Sequence, residues 1–173
     1  MISIIVATDR SNSYSRRLAD IMGQKLAAKN VDFQLLDLGE VRPAILSEGS
    51  YGDPGPEMEK LDAQFIVGAE KLLFIVPEYN GGFPGVLKYF IDLCQQASFK
   101  GKKACIIGIG AGRGGNLRGV EHLTGVLHYV RTEVLALKIY INEVFKYISE
   151  EGELTDAMTE QLLDEQLEEF LIF

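Results

Sequence analysis

The sequence predicts an α/β fold in which a five-stranded parallel sheet is covered by helices on both faces, with residues 1–173 forming one domain. Two observations carry this. Short apolar runs such as Ile2-Ser3-Ile4-Ile5-Val6 and Lys71-Leu72-Leu73-Phe74-Ile75-Val76 have the length and continuity of strands buried on both faces. Between them lie longer segments that read as helices, so strand and helix alternate along the whole chain. Right-handed crossovers then stack the helices in two layers about the sheet.

The first strand spans residues 2–8 and the first helix 14–29, whose N-terminus follows the Ser-rich run Ser11-Asn12-Ser13. Val31-Asp32-Phe33-Gln34-Leu35-Leu36-Asp37 is the second strand. Residues 39–56, with Gly52-Asp53-Pro54-Gly55-Pro56, read as a long irregular connection and the one obvious insertion, a flap beside a site. A helix over 57–69 leads to the third strand, 71–76. That strand stops at Pro77, which cannot donate to a ladder. Pro84 opens the next helix, 84–97, where its missing N–H costs nothing. Strand 103–109, helix 115–130, strand 133–142 and helix 155–171 complete the alternation. Helix 84–97 is apolar on more than one face through Phe83, Val86, Leu87, Tyr89, Phe90, Ile91 and Leu93. One covering layer per sheet face does not require that much apolar surface, which points to a self-partner, a homodimer or homotetramer; the alternative is that the excess packs under helix 115–130.

Composition excludes several classes. With 47% hydrophobic and 24% charged residues, the chain matches an ordinary globular protein. No apolar stretch approaches the ~20 residues of a membrane span, and a strand-like run begins right after Met1, so no secretory signal or membrane partner is expected. Cys94 and Cys105 lack metal or redox spacing and read as reduced, buried thiols, which fits a cytoplasmic protein. His122 and His128, six apart on a helix, do not share a face as metal ligands would, and no metal is expected. The net charge of −8 is localised: nine acids and no base follow from Glu150, leaving 16 of the 25 acids against 17 bases elsewhere. The acidic stretch reads as the solvated face of a terminal helix whose stripe is Met158, Leu162, Leu163, Leu167, Phe170 and Leu171. The bases form no stripe interleaved with aromatics, so no nucleic-acid partner is expected.

Three loops carry the chemistry, all at carboxyl ends of strands, where open α/β sheets bind ligands. After the first strand comes Thr8-Asp9-Arg10-Ser11-Asn12-Ser13-Tyr14-Ser15, which places hydroxyls and a fixed cation at a helix N-terminus. That arrangement suits an anion; the plainer alternative is a Ser-rich N-cap with surface arginines. Arg16 and Arg17 in the first helical turn stand at the unfavourable end for cations unless an anion or carboxylate offsets them. After the third strand, Pro77-Glu78-Tyr79-Asn80-Gly81-Gly82-Phe83-Pro84-Gly85 offers a row of backbone donors and two glycines on which a ligand can lie. The third loop, Gly110-Ala111-Gly112-Arg113-Gly114-Gly115, matches a dinucleotide fingerprint formally, but it follows the fourth strand instead of opening the first βαβ unit.

The first two loops together resemble the NADPH-dependent FMN reductases, the group that includes flavodoxin-like azoreductases, quinone reductases and chromate reductases. Arg10 and Ser13 match the family's phosphate loop, Thr8 keeps its hydroxyl, and Ser15 replaces an Asn. Pro77-Glu78-Tyr79-Asn80 and Pro84-Gly85-Val86-Leu87-Lys88 match its flavin loop, while the Ser that usually follows the Asn is replaced by Gly81. The resemblance covers roughly the first 130 residues. It implies a flavodoxin-like three-layer sandwich with strand order 2-1-3-4-5 and FMN bound at the carboxyl ends of the first, third and fourth strands. By the same resemblance Thr8, Arg10, Ser13, Tyr14 and Ser15 hold the FMN phosphate. Pro77, Glu78, Tyr79, Asn80 and Gly81 line the ring, and the loop of Gly110, Gly112 and Arg113 closes over the flavin, with Arg113 a candidate for a nicotinamide phosphate. The implied activity is an FMN-dependent NAD(P)H oxidoreductase, with NADPH or NADH as donor and a quinone, azo compound, free flavin or metal oxyanion as acceptor. The flavin supplies the redox chemistry, so no catalytic side chain is nominated. The alternatives are a flavodoxin-type electron carrier and a non-catalytic flavin-binding module.

Overall fold

The computed structural model describes residues 1–47 and 49–173; Glu48, part of the 39–56 segment, lies outside the described residues. In chain order the elements are β1 (Ile2–Val6), α1 (Tyr14–Ala28), β2 (Phe33–Asp37), α2 (Leu38–Ser47), the two-residue strands β3 (Gly49–Ser50) and β4 (Asp53–Pro54), and α3 (Pro56–Leu61). Then follow β5 (Lys71–Pro77), α4 (Gly85–Leu93), α5 (Gln96–Phe99), β6 (Lys103–Ile109), α6 (Leu117–Tyr129), β7 (Glu133–Val134), β8 (Ile139–Ile141) and α7 (Ala157–Ile172). The main sheet runs β2-β1-β5-β6-β7 with every pairing parallel, and β8 extends the β7 edge along β6. With the small β3–β4 hairpin set aside, this is the 2-1-3-4-5 order expected. Every residue of β1 is buried, because both faces of that strand pack on helices. One core, with Phe74, Leu87, Phe90 and Leu123, fills one side of the sheet. The other, with Ile4, Leu18, Ile107, Leu167 and Phe170, fills the opposite side.

The 39–56 segment departs from expectation. Instead of an irregular flap, it begins with helix α2, in spite of Pro43 inside it. The Asp37 carboxylate accepts the Gly39 N–H at 2.8 Å, which caps one of the donors a helix start leaves free. Leu38 and Ile45 are fully buried in the core they share with Leu87 and Phe90. The helix therefore covers apolar surface of α4 that the sequence assigned to a second subunit: Phe83, Leu87, Phe90, Ile91 and Leu93 are all buried within their own chain.

Three further elements differ in detail. The helix expected over 57–69 is α-helical only to Leu61 and continues as a π-helix over Asp62–Val67, with Gly68 N–H bonded to Ala63 O. The helix expected over 84–97 breaks at Cys94, where the Asp62 carboxylate accepts the N–H of Gln95 and the hydroxyl of Ser98. The strand expected over 133–142 is interrupted between Val134 and Ile139. There the buried Gln166 amide of α7 donates to Ile106 O and Leu137 O, taking the place of ladder bonds. The terminal helix also differs from a simple solvated face. Lys25 pairs with Glu160 and Asp164, and Lys29 with Glu168, so α1 and α7 are joined by ion pairs. Its buried stripe is Leu163, Gln166, Leu167 and Phe170, while Met158 and Leu162 face outward. At the starts of β5 and β6, Lys71 donates to Phe170 O and Leu171 O in the last turn of α7 and Lys103 to Phe173 O just after it, at the end of a helix that favours cations. Both cysteines are buried, and desolvation pushes each thiol upward, which keeps them in the neutral form.

Candidate functional site

The parallel register brings the ends of β1, β5 and β6 side by side, and the loops that leave them enclose a cleft of about 270 Å³. Among the residues singled out in the sequence, Thr8, Arg10, Ser13, Tyr14, Ser15, Pro77, Glu78, Tyr79 and Gly110 line it. Asn80, Gly81, Gly112 and Arg113 do not, and lie just beyond it in the same loops. Asn12, Ile109, Ala111, Val144 and Phe145 line the cleft without having been anticipated. Val144 and Phe145 come from a short 3-10 turn after β8, whose position could not be foreseen without the interrupted last strand.

The first loop is organised by α1. Ser13 is the N-cap: its hydroxyl accepts the Arg16 N–H at 3.2 Å, so the plainer capping role holds for this residue. Ser15 is 1% exposed, and its hydroxyl finds no protein partner among the described residues. A buried orphan hydroxyl costs free energy unless something satisfies it. The arginines next in sequence are accounted for. Arg16 pairs with Asp20, Asp37 and Glu40 at 3.1, 3.1 and 2.7 Å, and those carboxylates hold its guanidinium charged well above the usual range. Arg17 lies over the Tyr14 ring and bonds Asn12. Arg10 is different. It is exposed at the cleft and makes no ion pair or side-chain hydrogen bond among the described residues. Its neighbour Asp9 is engaged by Arg42 at 2.7 Å. Thr8 does a second job, because its hydroxyl meets the Tyr79 hydroxyl at 2.5 Å and clasps the first loop to the second.

The second loop is a tight turn, not a row of free donors. Tyr79 and Gly82 exchange both backbone hydrogen bonds, at 2.8 and 3.0 Å, around Asn80 (φ 51°) and Gly81 (φ 80°). Positive φ at both central positions is the type I′ pattern, for which Asn-Gly is the favoured pair. Glu78 N–H pairs with Ile109 O. The N–H groups left at the tip belong to Asn80 and Gly81. The third loop packs beside the turn, with the Glu78 carboxylate 3.9 Å from where a Gly114 Cβ would be.

An open cleft at three adjacent strand ends, with a guanidinium and a buried hydroxyl that have no partner among the described residues, is an arrangement suited to an anion in an α/β protein. Comparison with known proteins narrows this. The family model of the NADPH-dependent FMN reductases matches residues 1–145. A 2-hydroxy-1,4-benzoquinone reductase of a Burkholderia species is 30% identical over 160 residues, 90% of this chain and 82% of that protein. The NAD(P)H-dependent FMN reductase PA1204 of Pseudomonas aeruginosa is 32% identical over 166 residues, 92% of this chain and 86% of that one. Among solved structures, the flavoenzyme NAD(P)H:(acceptor) oxidoreductase FerB of Paracoccus denitrificans superposes with a TM-score of 0.80 at 27% identity, covering 98% of this chain and 93% of that chain. The chain belongs to the NADPH-dependent FMN reductase family and is an FMN-dependent NAD(P)H oxidoreductase.

Proposed function

We propose that this protein takes electrons from NAD(P)H and passes them to small acceptors, quinones foremost, using FMN held in the β1–β5–β6 cleft. The observation that carries the cofactor placement is that one cleft is lined both by the buried Ser15 hydroxyl in the first turn of α1 and by Arg10 in the loop before it, neither side chain having a partner among the described residues. A dianionic phosphate satisfies both. Thr8, Ser13 and Tyr14 complete that end of the cleft, Pro77, Glu78 and Tyr79 line the rest of it, and Asn80 and Gly81 stand just beyond, toward the ring's edge. Bound there, FMN supplies the hydride chemistry. The chain's own part is to orient the ring, to present the N–H groups of Asn80 and Gly81 toward developing negative charge, and to exclude water with the 110–115 loop. In this reading Arg113, exposed in the third loop outside the cleft, meets the phosphate of the nicotinamide donor. The quinone preference is supported by relatives named quinone reductases.

Ser15→Ala separates cofactor binding from folding. The apo protein should be as stable as wild type or slightly more so, because the orphan hydroxyl is gone, while FMN affinity falls about tenfold. Urea unfolding of the apo protein beside fluorescence titration with FMN checks both; a destabilised apo protein would mean that Ser15 serves the fold. Turnover should be ping-pong, since one flavin face serves donor and acceptor in turn. Parallel double-reciprocal plots with NADPH and a benzoquinone are expected, and intersecting lines would contradict a shared face.

We also infer a cytoplasmic homodimer, or a tetramer built from it. Among the described residues no helix is long and apolar enough to cross a membrane, and both thiols are free. The support for pairing lies in a groove of about 700 Å³ between α4 and α6, flanked by Tyr51 and Tyr129 at 85% and 79% exposure. Light scattering at low micromolar concentration should give a multiple of 19.2 kDa, and the mass of one chain would end the proposal.

A further inference from the structure

Arg118, like Arg10, is an exposed arginine without a side-chain partner among the described residues, and it stands beside the second loop. It stands in the first turn of α6, an unfavourable place for a cation, and that turn holds no acid. The next acid along the helix, Glu121, is engaged by Lys138 and by the Tyr140 hydroxyl. Arg118 makes no ion pair or side-chain hydrogen bond among the described residues. Its side chain is exposed just outside the cleft, and the backbone that carries it is fixed from below. Asn116, 0% exposed and at φ 69°, donates from Nδ2 to Val76 O at 2.9 Å, which ties the start of α6 to the end of β5. One turn on, Gly119 lets the helix meet the flavin loop backbone to backbone: a Cβ there would fall 2.7 Å from Gly82 C and 2.8 Å from Phe83 N, and against Asn116 Oδ1. In consequence Arg118 Nη1 lies 4.0 Å from where a Gly81 Cβ would be, beside the tip of the turn whose Asn80 and Gly81 N–H groups are left over.

We propose that Arg118 is the cation that meets the negative charge arriving on the flavin when it is reduced, acting beside the N–H groups of Asn80 and Gly81. The inference rests on the placement of FMN in the β1–β5–β6 cleft. Hydride transfer breaks a C–H bond of the dihydronicotinamide and forms an N–H bond on the flavin, moving two electrons and one proton. The donor leaves as a cation, and the flavin gains one negative charge. A guanidinium stabilises that charge only after transfer, so it favours the reduced cofactor over the oxidised one and raises the flavin's reduction potential.

The test uses purified wild-type protein, Arg118→Gln and Arg118→Lys, with circular dichroism to confirm folding. The midpoint potential is read by equilibration with a reference dye, and FMN dissociation constants are measured in both oxidation states. For Arg118→Gln the affinity for reduced FMN should fall about 10-fold or more, as expected for loss of a charge-assisted interaction, with little change for oxidised FMN and a correspondingly lower potential. Arg118→Lys should recover most of the shift. Equal losses in both oxidation states would overturn the proposal. So would an unmoved potential with KM raised for NADPH but not NADH, which would assign the guanidinium to the nucleotide's phosphate. A wild-type protein that binds no FMN fails at the cofactor placement and takes this proposal with it. Wild-type binding with an unmoved Arg118→Gln potential defeats this proposal alone.

Discussion

Arg10→Ala should weaken FMN binding about 10- to 150-fold, the equivalent of one lost charge-assisted hydrogen bond of roughly 1.5–3 kcal/mol, and should leave riboflavin binding nearly unchanged. The asymmetry follows from the site. Asp9 is already spent on Arg42, Arg16 on three carboxylates, and Arg17 on Asn12, Ser149 O and the Tyr14 ring, so among the described residues Arg10 is the arginine of this stretch whose side chain has no partner. Riboflavin has the ring but no phosphate, and in the proposed arrangement the ring is served by the second loop. Paired fluorescence titrations with FMN and riboflavin measure the difference directly. Equal losses for the two ligands would remove Arg10 from the phosphate end of the cleft.

Gly119→Ala should destabilise the protein by about 1–3 kcal/mol, the usual cost of overpacking, and lower the melting temperature by roughly 2–12 °C. The added methyl would meet Gly82 C and Phe83 N, which are backbone atoms of the flavin loop and cannot rotate aside. Relief requires the loop and α6 to part, so FMN affinity should fall with stability. Gly125→Ala, further along α6, is the control. Nothing lies within 4 Å of its Cβ position, so the change should be neutral or stabilising by up to ~1 kcal/mol through helix propensity. Thermal unfolding of the two variants side by side decides the matter, and a Gly119→Ala protein as stable as Gly125→Ala would disprove the close approach.

Most of the sheet was legible because buried parallel strands advertise themselves as short apolar runs, and the loops between them carry the glycines, prolines and hydroxyls that binding needs. Nine of the thirteen residues singled out for the cofactor line one cleft. What stayed hidden depended on distant partners. α2 read as a loop because the Gly, Pro and Ser content of 39–56, concentrated in Gly52-Asp53-Pro54-Gly55-Pro56, masked its first half, although Asp37 as its cap and Leu38, Val41 and Ile45 at helical spacing were a usable signal. That omission created the apparent apolar excess of helix 84–97. The break between β7 and β8 was beyond local reading, since it is filled by Gln166 from a helix about 30 residues away in sequence. Asn116 and Gly119 escaped for the same reason: their roles lie in contacts with Val76 and Gly82, and only the fold brings those together.

The central claim is that this chain holds FMN in the β1–β5–β6 cleft and uses it to oxidise NAD(P)H. The most direct test is the visible spectrum of the purified protein reconstituted with FMN, followed by anaerobic titration with NADPH. A bound-flavin spectrum bleached by one equivalent of NADPH, with no stable blue one-electron species on the way and full recovery on adding a benzoquinone, is the expected result. A protein that binds no FMN, or one that binds it and accumulates the blue species while leaving NADPH unoxidised, would contradict it.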